Sequence, residues 1–187
     1  MAIERTALTY RDYAALPDDG RRYQILDGTL DVTPSPSPRH QGTLGNIYVA
    51  VRHHVDTHGL GLTFFAPIDV ILADTTVVQP DLVFLDAGRT HLVSGRGIEG
   101  PPTLVVEVLS PGTTATDRGA KRRLYARYGI AFYWIVDADA RVIEASELIA
   151  GDYRLAVRAQ GSAPVALPPF GRLALVPDSL WPPASAS

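Results

Sequence analysis

Two carboxylates each interrupt a stretch of apolar residues that is otherwise typical of a buried strand. Asp81 lies within residues 78–84 (VQPDLVF), and Glu107 lies within residues 104–110 (LVVEVLS). A buried carboxylate costs free energy unless it is paired, protonated or bound to a metal ion. The chain must therefore fold so that both acids meet a partner, or place them at strand ends as ordinary polar residues.

Lys121 is the only lysine among the 17 Lys and Arg residues of the chain. Arginine satisfies most surface roles of a cation, whereas lysine is a compact ammonium whose pKa moves readily, so it can handle a proton. Two core carboxylates with one amine indicate a hydrolytic site that uses a divalent metal ion. The alternative is that a bias in base composition left one lysine by chance.

The composition is typical of a soluble globular protein, with 46% hydrophobic and 20% charged residues among 187. We expect one domain over residues 1–187, with an irregular tail rich in proline and alanine from about residue 162. The absence of cysteine excludes disulfides and thiolate metal sites, which fits a cytoplasmic protein. No apolar run approaches the ~20 residues that span a bilayer, so no membrane partner is expected.

Two local patterns near the N-terminus are clear. Asp27-Gly28 between residues 23–26 and 29–32 predicts a β-hairpin, since this dipeptide suits a tight turn. Ser37 followed by Pro38 predicts the start of a helix, and apolar residues at helical spacing continue it to about His58, with Gly59 past its end.

The remainder of the chain alternates between strand and helix patterns. A Gly-rich loop is expected over residues 87–102, and a second helix opens at Thr116 or Asp117 and closes at Gly129. The predicted strands cover residues 64–72, 78–85, 103–109, 131–136, 141–146 and 153–157. This order predicts an α/β (α+β) protein with a mixed sheet flanked by helices.

Strand alternation places Asp81 and Glu107 where both can face one point at the edge of the sheet, if their strands are neighbours. Oxygen ligands of this kind suit Mg²⁺ or Mn²⁺, and the carbonyl of Val108 is a further candidate ligand. Two acids this close predict a raised pKa for one of them unless a metal ion or Lys121 compensates.

Lys121 belongs to a helix face that it shares with four other residues, and apolar packing of that face would point its amine at Glu107. The face consists of Asp117, Lys121, Leu124, Tyr125 and Tyr128. The alternative is a simple surface ion pair between Asp117 and Lys121, which would contribute little to stability.

At this level of detail the chain resembles a known family. The resemblance is carried by Asp117, Lys121 and, in order, residues 23–28 (YQILDG), 35–41 (SPSPRHQ), 79–82 (QPDL), 105–111 (VVEVLSP) and 133–137 (YWIVD). These blocks are similar to the Uma-type restriction-endonuclease family, a branch of the PD-(D/E)xK nuclease superfamily. The resemblance covers residues 9 to 148.

The resemblance implies a restriction-endonuclease-like core with Asp81 and Glu107 as metal-binding acids and Lys121 as the catalytic amine. The superfamily places its lysine where this chain has Leu109, but the family moves it to the next helix, where Lys121 lies. The family also has a glutamate where this chain has Gln24. That change removes a charge and leaves Gln24 as a candidate for the outer shell of the metal.

Other polar residues are weaker candidates. His40 lies in a block that the family shares and could contact the site or a phosphate, or simply begin the helix. Arg118 and Arg122 could meet a nucleic-acid backbone, or form a solvated helix face. His54 and His58 stand four residues apart, but no third ligand follows in the pattern, so a zinc site is not expected.

We therefore expect a metal-dependent endonuclease that hydrolyses phosphodiester bonds of DNA, with Mg²⁺ or Mn²⁺ as cofactor. Two alternatives stay open on the sequence alone. The first is a weak or inactive nuclease-fold module that binds nucleic acid or a protein, which the neutral Gln24 favours. The second is a structural homodimer in which the acids only complete internal ion pairs.

Overall fold

The computed structural model describes residues 7–183. The helices are α1 (Tyr10–Ala14), α2 (Pro38–His58), α3 (Thr114–Thr116) and α4 (Arg122–Arg127). The strands are β1 (Arg22–Leu26), β2 (Thr29–Thr33), β3 (Gly61–Phe65), β4 (Val70–Ala73), β5 (Thr76–Val78), β6 (Leu82–Asp86), β7 (Val93–Ser94), β8 (Gly97–Ile98), β9 (Leu104–Val108), β10 (Phe132–Asp137), β11 (Val142–Ile149), β12 (Asp152–Ala159), β13 (Val165–Leu167) and β14 (Phe170–Leu175).

The described strands form two six-stranded sheets and a small hairpin, which confirms a mixed α+β class. The central sheet has the order β12-β11-β10-β9-β6-β3, with β9 and β10 parallel and the other neighbours antiparallel. The second sheet has the order β2-β1-β5-β4-β8-β7, and β13 pairs with β14. Glu107 lies on β9, and Asp81 immediately precedes β6. These two strands are direct neighbours in the central sheet, which is the condition for the two acids to lie close together.

Helix α2 forms where its end signals place it. Ser37 is the N-cap and its hydroxyl accepts a hydrogen bond from the backbone N–H of His40, while Pro38 occupies the first turn. Gly59 ends the helix in the left-handed region at φ 59°. Leu44, Ile47 and the residues at following helical positions are buried against the central sheet.

The second long helical segment is not a regular α-helix. It begins as α3, widens into a π-helical turn over Asp117–Lys121, and continues as α4. A π-turn adds a residue to one turn, and such turns occur frequently at functional sites. Here the widened turn carries both Asp117 and Lys121 into the protein interior.

The two faces of the central sheet bury separate apolar cores. Leu82, Phe84 and Val106 point to the face covered by α2 and the β13–β14 hairpin. Val83 and Val105, which alternate with them, point to the face covered by α4 and the second sheet. Glu107 follows the alternation of Val105 and lies on this second face.

Two of the predicted strands are corrected. Residues 78–85 are not one strand, because Gln79-Pro80-Asp81 breaks the run and the chain passes from β5 in the second sheet to β6 in the central sheet. Proline lacks the N–H that a continuous strand would use. Residues 64–72 are similarly divided between β3 and β4, which also belong to different sheets.

The segment from residue 162, expected to be irregular, instead forms the β13–β14 hairpin followed by a 3₁₀ turn at Pro177–Leu180. Three residues of this segment, Phe170, Leu175 and Leu180, are buried because they cover the apolar face of the central sheet. The strand pattern was not recognised in the sequence because the segment is rich in proline. Within residues 7–183, no helix is both long and apolar enough to cross a membrane.

Candidate active site

Asp81 lies at the crossing between the two sheets and is held by three neighbours. Its Oδ2 accepts hydrogen bonds from the backbone N–H of Val108, at 2.8 Å, and from Nε2 of His40, at 3.1 Å. Its Oδ1 lies 3.5 Å from Nη1 of Arg22. Burial by itself would raise the pKa of Asp81, but the His40, Val108 and Arg22 contacts outweigh it and lower the pKa below its ordinary value.

Glu107 projects from β9 into the opposite core and is 2% exposed. Its Oε1 accepts hydrogen bonds from Nζ of Lys121, at 3.0 Å, and from the hydroxyl of Tyr125, at 2.6 Å. The Lys121 ammonium is thus directed at Glu107 by the π-turn and by the packing of Tyr125 on the same helix face.

Lys121 also contacts Asp117, whose Oδ1 lies 3.3 Å from Nζ, outside good hydrogen-bond geometry. Asp117 and Lys121 are both nearly fully buried, at 1% and 4% exposure. The two arrangements that the sequence left open therefore coexist: Lys121 meets Glu107 across the site and pairs with Asp117 on its own helix, in the interior rather than at the surface.

The acids outnumber the close cations, and their pKa values reflect it. Burial, with the negative charges of Asp117 and Asp81, raises the pKa of Glu107 to about 8, although Lys121 opposes the rise. Burial also raises the pKa of Asp117. Burial disfavours the charged amine of Lys121, yet Glu107 and Asp117 together raise its pKa.

The charge of Lys121 depends on both acids, because a neutral Glu107 would no longer favour the ammonium. Asp117 still contacts the amine, and Lys121 has the higher ordinary pKa. The ammonium therefore stays charged near neutral pH, and the extra proton resides on Glu107.

These groups line one small pocket of about 20 Å³. The candidates that the structure brings together there are Asp81, Glu107, Val108, Lys121 and His40. Arg22, Ser110, Thr113 and Asp117 join them, with Thr33, Pro34 and Pro36 from β2 and the loop after it. The pocket is thus built from both sheets and from the starts of two helical segments.

Gln24 lies outside this pocket. It lines an adjoining cavity of about 20 Å³ that shares Lys121 and Asp117 with the first. Its Nε2 donates to Thr33 Oγ1 at 2.9 Å and to Asp31 Oδ2 at 3.3 Å, and its Oε1 accepts from the backbone N–H of Gln79 at 2.8 Å. Gln24 therefore fixes the ends of β2 and β5 beside the site.

Arg118 and Arg122 do not line the pocket. Arg118 pairs with Glu144 at 2.6 Å, and Arg122 pairs with Asp152 at 2.9 Å, so both are directed at β11 and β12. The rings of His54 and His58 pack against each other near the C-terminal end of α2, with centroids 4.4 Å apart and planes tilted by 37°.

Sequence reasoning missed Arg22 and the hydrogen bond from Tyr125. Arg22 is the first residue of β1 and follows another arginine, and nothing in the sequence directs it towards Asp81. The signal for Tyr125 was present, because it lies four residues after Lys121 on the same helix face.

The donor set fits a hard cation. Within residues 7–183, no three His, Asp or Glu side chains cluster closely enough to hold a metal by themselves. Mg²⁺ retains several waters and is often held by one or two carboxylates, so Asp81, Glu107 and a carbonyl suffice. Burial and the nearby charges of Asp117 and Asp81 raise the pKa of Glu107, and a divalent ion would offset this excess of negative charge.

The mixed sheet flanked by helices is a fold that a solved protein structure shares. A solved structure from Anabaena variabilis ATCC 29413, titled a "putative nuclease belonging to DUF820", superposes with a TM-score of 0.74 at 16% identity. The match covers 92% of this chain and 97% of that one. Among curated proteins, none matches significantly.

The chain belongs to the Uma2 family, described as "Putative restriction endonuclease", whose profile matches residues 10–177. Both the family and the fold that the sequence resemblance predicted are thereby confirmed.

Proposed function

We propose that this protein is a divalent-metal-dependent endonuclease that hydrolyses phosphodiester bonds of DNA. The observation that carries the proposal is that Asp81, Glu107 and the ammonium of Lys121 line one pocket. They come from three separate elements: the connection between the two sheets, strand β9 and the π-helical turn. The family description and the nuclease-like fold support the same reaction class.

In this proposal Asp81, Glu107 and the carbonyl of Val108 hold Mg²⁺ or Mn²⁺. When bound, the ion lowers the pKa of a water ligand and stabilises charge on the phosphoryl oxygens. His40 keeps Asp81 oriented through its 3.1 Å contact. Glu107 must release its proton before it can bind the cation.

Lys121 positions the attacking water. Its pKa is raised by Glu107 and Asp117 against the effect of burial, so it donates hydrogen bonds as an ammonium in the resting site. Cleavage forms a bond between the water oxygen and phosphorus and breaks the bond between phosphorus and the deoxyribose oxygen, while the water loses a proton and the leaving oxygen gains one. The Lys121 ammonium can donate a proton to the leaving oxygen and recover one from the attacking water.

The test is a supercoiled-plasmid assay with Mg²⁺ or Mn²⁺. We expect nicking that requires the metal and is lost in Lys121→Met, which keeps length but removes the amine. Arg118→Gln is the matched control, since it removes one positive charge from the same helical segment outside the pocket. A parent that is inert with both metals would contradict the proposal.

One observation favours a second candidate, a nuclease-fold module that binds nucleic acid without turnover. Gln24 is neutral and its amide is already bonded to Thr33, Asp31 and the Gln79 backbone, so it brings no charge to a metal. A parent that binds a DNA duplex but stays inert, also as Gln24→Glu, would favour this function.

A further inference from the structure

Arg22 is an unassigned cation in the wall of the pocket. Its side chain is 19% exposed, and Nη2 donates to the backbone carbonyl of Gln79 at 2.8 Å. Nε lies 3.5 Å from Oε1 of the same Gln79. The carbonyl contact anchors the guanidinium on the chain segment that leads into Asp81.

The contact of Arg22 with Asp81 itself is loose. Nη1 lies 3.5 Å from Oδ1, at the outer limit of a hydrogen bond, whereas Oδ2 of Asp81 makes two shorter contacts, to Val108 and His40. Asp81 can therefore give Oδ1 to another ligand and stay fixed through Oδ2. Arg22 can likewise leave Asp81 and stay fixed through Gln79.

Arg22 also differs from the other basic residues that line the pocket. Lys121 is held between Glu107 and Asp117, and His40 presents Nε2 to Asp81. Arg22 has five N–H donors and makes one short hydrogen bond among the described residues, so most of its donors are available. A planar guanidinium with free donors matches the two non-bridging oxygens of a phosphodiester.

We propose that Arg22 binds a non-bridging oxygen of the substrate phosphate, and that in the ligand-free protein it rests on Asp81. The inference depends on the proposed function, because it assigns the substrate contact of that same site. The contact of Arg22 with Asp81 also affects the binding of a divalent ion. Arg22 competes with a divalent ion for Asp81 Oδ1 until the phosphate draws the guanidinium away.

This competition predicts effects of opposite sign on two ligands. Arg22→Gln should weaken binding of a short labelled DNA duplex by about tenfold, because a charge-assisted hydrogen bond is lost. The same change should tighten binding of Mn²⁺ alone several-fold, because a positive charge leaves Asp81. A residue that only supports the fold would weaken both.

Arg21→Gln is the matched control. Arg21 is the adjacent residue, its side chain is 67% exposed, and it lies 3.4 Å from Asp19, away from the pocket. It loses the same charge, so the difference between the two variants isolates the local contact. Duplex binding is measured with Ca²⁺ in place of Mn²⁺, and Mn²⁺ binding is measured by calorimetry without DNA.

Arg22→Lys keeps the charge and a donor for the Gln79 carbonyl, so it covers the case in which Arg22→Gln fails to fold. It should bind Mn²⁺ as the parent does but bind the duplex more weakly than Arg21→Lys. Arg22 variants that bind the duplex as tightly as their Arg21 controls would overturn the inference, while metal-dependent cleavage by the parent would leave the proposed function intact. A parent that neither binds nor cleaves DNA would overturn both.

Discussion

Asp81 and Glu107 lie in the same pocket, but their surroundings move their pKa values in opposite directions. Asp81 accepts hydrogen bonds from His40 and Val108 and stays ionised. Glu107 is buried beside Asp117 and keeps its proton to about pH 8. The sequence predicted that one of two nearby acids would have a raised pKa, but not which, since the deciding contacts come from other elements.

The raised pKa of Glu107 predicts a pH-dependent stability. The folded protein holds a proton up to about pH 8 that the unfolded chain loses near pH 4.5, so the free energy of unfolding should fall as pH rises between these values. The raised pKa of Asp117 acts in the same direction, whereas the lowered pKa of Asp81 acts below 3.8. Glu107→Gln should flatten this slope in metal-free melting curves. An unchanged slope would contradict the assignment of the proton to Glu107.

Asp81→Asn should behave differently from Glu107→Gln. It removes a charge that His40 and Arg22 stabilise, so we expect a loss of about 1–3 kcal/mol in the free energy of unfolding at neutral pH. Glu107→Gln should be neutral or stabilising there, because Glu107 is protonated already and the amide oxygen can still accept from Tyr125. Chemical denaturation of both variants without metal measures the difference, and equal losses would argue against it.

At the scale of elements, the helix ends and the hairpin turn were predictable because their signals are local. Ser37, Pro38 and Gly59 bound α2 as expected, and Asp27-Gly28 joins β1 to β2. The division of residues 78–85 between two sheets was not predictable from strand propensity, because it depends on pairing partners far along the chain. Asp81 owes its position to that division.

Two glycines test how tightly the elements are specified. Gly119 lies in the π-turn, where an added Cβ would come no closer than 3.9 Å to Arg123, so Gly119→Ala should stabilise the protein by about 0.5–1 kcal/mol. Gly61 has φ +146° and its Cβ would lie 2.0 Å from the Leu85 carbonyl, so Gly61→Ala should be strongly destabilising. Thermal melting of both variants checks the contrast, and a destabilised Gly119→Ala would show that the π-turn requires glycine.

At the scale of the whole molecule, the C-terminal hairpin completes the core on the face of the central sheet opposite Glu107. Phe170 packs with Phe84 and Trp134, at centroid distances of 4.9 and 6.0 Å, and the indole N–H of Trp134 donates to the Pro168 carbonyl. Composition alone suggested an irregular tail there. The short hairpin was missed because burial, rather than a long alternating pattern, decides its structure.

Phe170→Ala should therefore cost about 3–5 kcal/mol of unfolding free energy, as expected for a buried aromatic residue in a packed core. Leu155→Ala is the matched control, because Leu155 is 56% exposed on β12 and should change stability by less than about 0.5 kcal/mol. Urea denaturation gives both values. A loss for Phe170→Ala as small as that of the control would mean that the hairpin contributes little to the fold.

The passage of the chain through Gln79-Pro80-Asp81 from one sheet to the other has a mechanical consequence. Arg22 belongs to the second sheet and Glu107 to the central sheet, while Asp81 lies on the connection between them. A ligand held by all three would resist sliding of one sheet over the other. Conversely, a partner that tilted the second sheet would change the distances between these groups without contacting them. The geometry of the pocket therefore depends on the relative orientation of the two sheets.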